Sequence, residues 1–289
     1  MSYNIVYITK IAKLEYRLGN LIIRDEGYRS ICLDDISILI IESTAVSLTA
    51  SLVSELIKKK VKIIFCDEKR NPSGEIVSYY GAYDTSRKIK KQINWNKEIV
   101  EKVGREIIKE KIRNQGRLLL NYGNYIGEMI ISLAEDVEYY DKTCREAHAS
   151  KIYFKELFGK NFNRISENPI NASLNYGYGI LLSMINRKVV AKGYLTQIGL
   201  YHKNDSNHFN LSCDLIEPWR VIVDRLVKKL NPTMFGKDEK YSILRILTDE
   251  YRICGKRYRL ENALDIYLRS VFYALETEEI NGIRFLDEL

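Results

Sequence analysis

Short apolar runs alternate with turn residues over the first 84 positions. Ile5-Val6-Tyr7-Ile8, Leu21-Ile22-Ile23, Ile36 to Ile41 and Val61 to Phe65 are β-rich. Gly19-Asn20 and Asp25-Glu26-Gly27 separate the early ones, which predicts strands joined by turns. One helix interrupts them. Leu48, Leu52 and Leu56 recur every four residues beside Val53 and Ile57, and Lys58-Lys59-Lys60 supplies the cations that suit a helix C-terminus. Asn71-Pro72-Ser73-Gly74 predicts a loop near the end of this region. Beyond about Asp84 the spacing changes to three and four residues and stays there. Ile107, Ile108, Ile112 and Leu119 form one stripe, and Ala149, Ile152, Tyr153 and Leu157 a second. Leu174, Tyr178, Leu181, Leu182 and Ile185 form a third, and a last helix spans about Glu261 to Glu276. The predicted class is α+β: a small, mainly β domain at 1–84, then a larger all-α domain at 85–289.

The charge balance adds a direction. Residues 85–118 hold eleven basic side chains, among them Arg87, Lys88, Lys91 and Lys111, against four glutamates. That excess of seven equals the net charge of the whole chain. Concentrated positive charge attracts polyanions, nucleic acid first, although a solvated helix laced with pairs such as Glu98–Lys102 reads the same way. Arg87, Lys88 and Lys91 are the candidate DNA contacts of this segment. The 21 tyrosines suit either base stacking or a core with polar handles. No apolar run approaches the roughly 20 residues that cross a bilayer, and the N-terminus lacks the pattern of a secretory signal. The five scattered cysteines include no Cys-x-x-Cys pair, as expected for thiols in a reducing cytoplasm.

Three histidines occur: His148, His202 and His208. On its helix, Glu146 shares a face with Ala149, Ser150 and Tyr153, whereas His148 lies on roughly the opposite side. Glu146 and His148 therefore cannot share a ligand while the helix is regular. A carboxylate bordering an apolar face needs a cationic partner or a metal. Asp214 and Glu217 are three residues apart, so one turn can aim both the same way, and Pro218 suits the first position of a following helix. Glu217 would then stand at a helix N-terminus, which itself favours a carboxylate. His202 lies upstream across a polar loop that could fold back. One imidazole with two carboxylates suits Mn²⁺ or Mg²⁺, and such a centre serves phosphoryl transfer.

These segments together resemble the CRISPR-associated integrase family, the first of the two universal CRISPR adaptation proteins. The resemblance runs through Ile41-Glu42-Ser43-Thr44, Phe65-Cys66-Asp67-Glu68-Lys69 and Lys111-Ile112-Arg113-Asn114-Gln115. It continues in Arg145-Glu146-Ala147, Leu174-Asn175-Tyr176-Gly177-Tyr178-Gly179, Gly199-Leu200-Tyr201-His202 and Asp214-Leu215-Ile216-Glu217-Pro218-Trp219-Arg220. The stretch Asn171 to Tyr178 and the compact length are most like type II systems. The resemblance implies a β domain that dimerises and a helical domain with a metal site of Glu146, His202 and Glu217. Asp214 is a nearby acid with no fixed role. Arg220 either orients a carboxylate or contacts phosphate. The implied activity is metal-dependent, with Mg²⁺ or Mn²⁺. The 3′-hydroxyl ends of a double-stranded DNA fragment are joined to the CRISPR array at the leader–repeat boundary, and DNA can also be cut. The implied assembly is two dimers bridged by a dimer of the second adaptation protein, in the cytoplasm. The type II effector nuclease and accessory adaptation proteins are further candidate partners.

Two other readings compete. A stand-alone metal-dependent nuclease would share the site but need no second adaptation protein. A non-catalytic DNA-binding scaffold would use the acids only in salt bridges.

Overall fold

The structure is a computed structural model that describes residues 4–68, 70–76, 84–138, 141 and 144–289. Lys69, part of one string of the resemblance, lies outside them. The chain forms two compact units, Met1–Gly81 and Ala82–Leu289.

The first unit holds two four-stranded sheets. In one, the order is β1 (Asn4–Ile8), β5 (Ile36–Ile41), β7 (Lys62–Cys66) and β8 (Pro72–Glu75). β5 is central and parallel to both neighbours, and every residue of Ile-Ser-Ile-Leu-Ile-Ile is buried. A strand covered on both faces shows such a continuous apolar run, without alternation. The other sheet has the order β4 (Tyr28–Cys32), β3 (Asn20–Arg24), β2 (Ala12–Arg17) and β6 (Val46–Leu48). Leu18 and Gly19 join β2 to β3 with φ of 47° and 81°, the paired positive values of a tight hairpin turn. The helix α1 (Ala50–Lys58) buries Leu52 and Leu56 in the core of this unit. Thr49 caps it, accepting from the Leu52 N–H, so Leu48 belongs to β6 and not to the helix its spacing suggested.

Asn71 to Gly74 is a second departure. The predicted loop is an edge strand, β8, antiparallel to β7. Pro72 is tolerated because it is the first residue of the strand, and the tight turn falls earlier, where the Arg70 N–H donates to the Asp67 carbonyl at 2.8 Å.

The second unit begins with α2 (Thr85–Ile93), α3 (Lys97–Asn121), α4 (Ile126–Leu133), α5 (Arg145–Phe158) and α6 (Pro169–Ala191). It continues with α7 (Asn210–Ile216), a 3-10 turn at Glu217–Trp219, α8 (Arg220–Leu230) and α9 (Lys237–Ile243). It ends with the hairpin β9 (Glu250–Ile253) and β10 (Lys256–Arg259), then α10 (Leu260–Thr277). The hairpin corrects the all-α expectation. Tyr251 and Ile253 alternate inward, and the turn Cys254-Gly255 has φ of 54° and 75°, so a period of two within a helical domain was hidden by its brevity. α3 and α4 touch at Gly116 and Gly127, where a Cβ on Gly116 would stand 2.5 Å from the Gly127 carbonyl.

Many tyrosines serve the core. Tyr153 and Tyr178 both donate their hydroxyls to the buried Asp224 of α8. Burial pushes the Asp224 carboxyl up from 3.8 to about 6, although the two hydroxyls and the Arg220 and Arg164 charges oppose it. The folded carboxyl therefore takes up a proton more readily than the unfolded one. Its unfavourable effect is complete above pH 6 and is relieved as pH falls toward 4. A displacement of that size corresponds to about 3 kcal/mol. Asp224→Asn is expected to remove most of the stability gained between pH 7 and pH 4.5, as read by denaturant unfolding at each pH.

None of the five cysteines forms a disulfide. Among the described residues no helix is long and apolar enough to cross a membrane.

Candidate active site

Four segments of the second unit bring polar groups to one place, and α3 is the element common to them. Lys111, in its middle, reaches two carboxylates. Its Nζ lies 2.5 Å from Glu146 Oε1 and 2.6 Å from Glu217 Oε2. Asn114, one turn on, donates from Nδ2 to the Pro218 carbonyl at 3.0 Å. Gln115 donates from Nε2 to Ser150 Oγ at 3.2 Å. Positions 111, 114 and 115 lie on one face of a helix, so a single row ties down the segments carrying Glu146 and Glu217.

Glu146 is in the first turn of α5, where the helix dipole favours an anion. Asp141 closes that helix end by accepting from the Arg145 and Glu146 N–H groups at 2.8 and 2.9 Å. Ala149 and Tyr153 are buried below Glu146, and His148 is exposed, as the helical spacing predicts.

Glu217 does not occupy an open helix N-terminus. α7 runs through the 3-10 turn directly into α8, with Pro218 in that turn, so its carboxylate is held by side chains instead. Arg220 Nε donates to Oε1 at 2.9 Å, and its guanidinium lies over the Tyr178 ring at 4.7 Å. Of the two readings of Arg220, orienting a carboxylate describes this arrangement. Burial alone would raise the Glu217 carboxyl, but Lys111 and Arg220 outweigh it and hold it at about 2. Oε2 is still an incomplete site. The Lys111 ammonium is within ion-pair distance but off the line of a hydrogen bond, which leaves a buried oxygen with no aligned donor.

His202 comes from the loop between α6 and α7, and Asp214 folds that loop onto α7. Asp214 is 0% exposed and accepts from the backbone N–H of Leu200, of Tyr201 at 3.3 Å and of His202 at 3.1 Å. It also accepts from His202 Nδ1 at 2.5 Å. Its oxygens are thereby committed to the loop and the ring, not turned to the two glutamates. The Nδ1 contact leaves Nε2 as the lone-pair nitrogen of the neutral imidazole, on a side chain 41% exposed. The Asp214 hydrogen bond holds the imidazole above its ordinary pKa, and the charges of Glu217 and Glu146 act in the same direction. Those carboxylates therefore lie within the electrostatic reach of the ring. Gly199 is required here, since a Cβ would stand 2.5 Å from the His202 carbonyl and 2.8 Å from Asp214 Oδ2.

Gln92 of α2 braces the same loop, donating to the Leu195 and Ile198 carbonyls and accepting from the Leu195 N–H at 2.8 Å. His208 is exposed, with its carbonyl accepting from the Thr196 hydroxyl and its ring edge-on to Phe209.

Among the described residues, no three His, Cys, Asp or Glu side chains converge closely enough to hold a metal as they stand. Lys111 takes the position between the two glutamates. The donor set still fits a hard divalent ion: two carboxylates that share one cation, a buried Oε2 without an aligned donor, and an imidazole turned by a carboxylate.

Sequence reasoning missed Lys111, Asn114, Gln115 and Gln92 as parts of this site. Along the sequence Lys111 is one of the cations of the basic segment. Polar residues at 111, 114 and 115 bordering the stripe of Ile107, Ile108 and Ile112 were the available signal. The segment's positive excess is largely answered in space. Lys91 pairs with Glu276, Lys109 and Arg113 with Glu135, and Lys111 with Glu146 and Glu217, all acids from outside the segment. Arg87 pairs with Asp84, and Lys88 lies over the Tyr194 ring at 5.0 Å.

A strand-rich unit followed by a helical unit, in which two glutamates share one lysine and a carboxylate holds an imidazole, is the class of protein that the fold and the site define. The family described as CRISPR associated protein Cas1 matches residues 6–245, and the chain belongs to that family. A relative from Neisseria meningitidis, CRISPR-associated endonuclease Cas1, is 32% identical over 229 residues, covering 78% of this chain and 75% of its own length. Among solved structures, a casposase bound to integration product has a TM-score of 0.78 at 18% identity, with 96% of this chain and 92% of that one covered. A chain of a Cas6-RT-Cas1–Cas2 complex has a TM-score of 0.77 at 17% identity, covering all of this chain and 36% of that longer one. At such identities the structural likeness is one of fold.

Proposed function

We propose that the chain is a metal-dependent DNA integrase and endonuclease of CRISPR adaptation, acting in the cytoplasm. Its proposed reaction joins the 3′-hydroxyl ends of a double-stranded fragment to the CRISPR array at the leader–repeat boundary. The observation that carries this reading is the convergence of Glu146 and Glu217, from separate segments, on one cation, with the Asp214-turned imidazole of His202 within their electrostatic reach. Glu146, His202 and Glu217 are the proposed catalytic residues and would hold Mg²⁺ or Mn²⁺. Such an ion supplies Lewis-acid polarisation of a phosphodiester and a lowered pKa for the attacking hydroxyl. Asp214 fixes the ring so that Nε2 is available, and Arg220 keeps Glu217 ionised and oriented. Asn114 and Gln115 hold the turn and the helix that bear the acids. In the joining step a phosphorus–oxygen bond forms to the fragment's 3′ oxygen, and the bond to the array strand's 3′ oxygen breaks.

The proposed partners are fragment and array DNA, a second copy of the chain, and a Cas2-type adaptation protein in an assembly of two dimers bridged by one. The Cas1–Cas2 complex among the fold relatives and the casposase on its integration product support this. Arg87, Lys88 and Lys91 are proposed backbone contacts. The type II effector nuclease is a further proposed partner, since the N. meningitidis relative supports the likeness to type II systems.

The test is transfer of a labelled double-stranded fragment into a leader–repeat plasmid with Mn²⁺ or Mg²⁺, with and without the Cas2-type protein. Joined product that needs both metal and partner is expected. Cutting without joining, partner present, would favour a stand-alone nuclease. DNA binding with no reaction would favour a scaffold.

A further inference from the structure

We propose that Lys111 is the resident counter-cation of the metal site, and that a divalent ion must displace its ammonium to reach Glu146 and Glu217. This inference rests on the metal reading of the preceding section.

Glu146 and Glu217 come from different segments and meet at one point, where two carboxylates would repel. The Lys111 ammonium removes that repulsion by touching both, at 2.5 and 2.6 Å. It is itself 11% exposed, and Glu217 is 4% exposed, so bulk ions screen the arrangement little. The stem of Lys111 rises from a helix position braced on either side. Asn114 holds the Pro218 carbonyl and Gln115 holds Ser150, so the backbone under the ammonium and the two acid-bearing segments stay in register whether or not the ammonium is in place. A four-carbon stem with several rotatable bonds can withdraw, whereas a planar guanidinium locked in a fork would not. Glu217 shows both kinds of partner. Arg220 donates along a well-formed hydrogen bond to Oε1, and Lys111 meets Oε2 by charge without hydrogen-bond alignment. The weakly directed partner sits where the ion would go.

A lysine here therefore has two opposed effects. It stabilises the metal-free site, because without it the buried Glu217 carboxylate and the partly exposed Glu146 carboxylate face each other. It also weakens metal binding, because a positive charge must leave before another enters. An ordinary structural salt bridge has only the first effect.

The experiment uses the full-length protein, dialysed against chelator, with Mn²⁺ as the probe. Lys111→Met and Lys111→Gln are compared with the parent and with Arg113→Met, which removes another α3 cation, one paired with Glu110 and Glu135. Melting is followed with and without Mn²⁺, and Mn²⁺ binding by calorimetry or by the loss of its free-ion resonance. Either Lys111 variant is expected to melt about 10 °C lower without metal and to recover most of that loss with Mn²⁺. Its Mn²⁺ affinity is expected to rise on the order of tenfold. Arg113→Met should leave the Mn²⁺ affinity within twofold of the parent. Lys111→Gln retains polarity and keeps the test open if Lys111→Met does not fold. Equal or weaker Mn²⁺ binding by the Lys111 variants, with the parent binding normally, overturns this inference alone. No Mn²⁺ binding by any form, with DNA binding intact, overturns the metal reading and this inference with it.

Discussion

Replacing Glu146, His202 or Glu217 singly by alanine is expected to lower strand transfer by on the order of a thousandfold or more, with DNA binding retained. Each residue supplies one of the three proposed donors, and losing a donor removes several kcal/mol of transition-state stabilisation. His148→Ala is the control. It sits two residues from Glu146 but faces solvent, and it should stay within about twofold of the parent. Glu217 needs a second variant. Removing its side chain leaves Lys111 and Arg220 without their shared anion in a buried place, so alanine there costs stability as well as function. Glu217→Gln keeps the volume and one carbonyl oxygen. If Glu217→Gln is folded by circular dichroism and still joins DNA at the parent rate, the assignment of Glu217 fails. Full activity of Glu146→Ala or His202→Ala would remove those residues in the same way.

The second large effect is expected at Asp214, which donates nothing to the proposed metal and yet controls His202. Three backbone N–H groups and the imidazole converge on its buried carboxylate. Asp214→Asn replaces one acceptor oxygen by an N–H group that faces other donors. Its loss should cost about 2 kcal/mol of stability and 10- to 100-fold in transfer rate, the usual scale for a group that orients a metal-binding imidazole. Gly199→Ala attacks the same contact from the loop side, because its Cβ would crowd Asp214 Oδ2. The two variants should therefore share a signature: lowered Mn²⁺ affinity and rate, with DNA affinity unchanged. If both melt at lower temperature but bind Mn²⁺ and join DNA as the parent does, Asp214 supports only the loop.

The contrast between Lys111 and the rest of its segment shows where linear reading stops. Along the sequence, residues 85–118 carry an unanswered positive excess. In space, Glu135, Glu146, Glu217 and Glu276 answer much of it. Charge counted along a chain ignores partners from distant segments, and a long helix such as α3 meets many. The same limit hid the β9–β10 hairpin, whose four-residue strands are too short to display a period against the surrounding helices.

What the sequence determined by itself was most of the longer elements that show a clear local pattern, and the choice of chemical groups worth testing. The short apolar runs of the first unit, the helical stripes beyond Asp84, and the choice of Glu146 over His148 by helix face all follow from local backbone geometry. The His202, Asp214 and Glu217 set was legible because so few residue types can do its chemistry. Only the tertiary structure decided how these groups are used. It committed Asp214 to the loop and the imidazole and Arg220 to Glu217, and it placed Lys111 between two acids that are 35 and 106 positions away along the chain. The physical reason is that the energy of a charge depends on its burial and its partners, and both are set by which helices pack together.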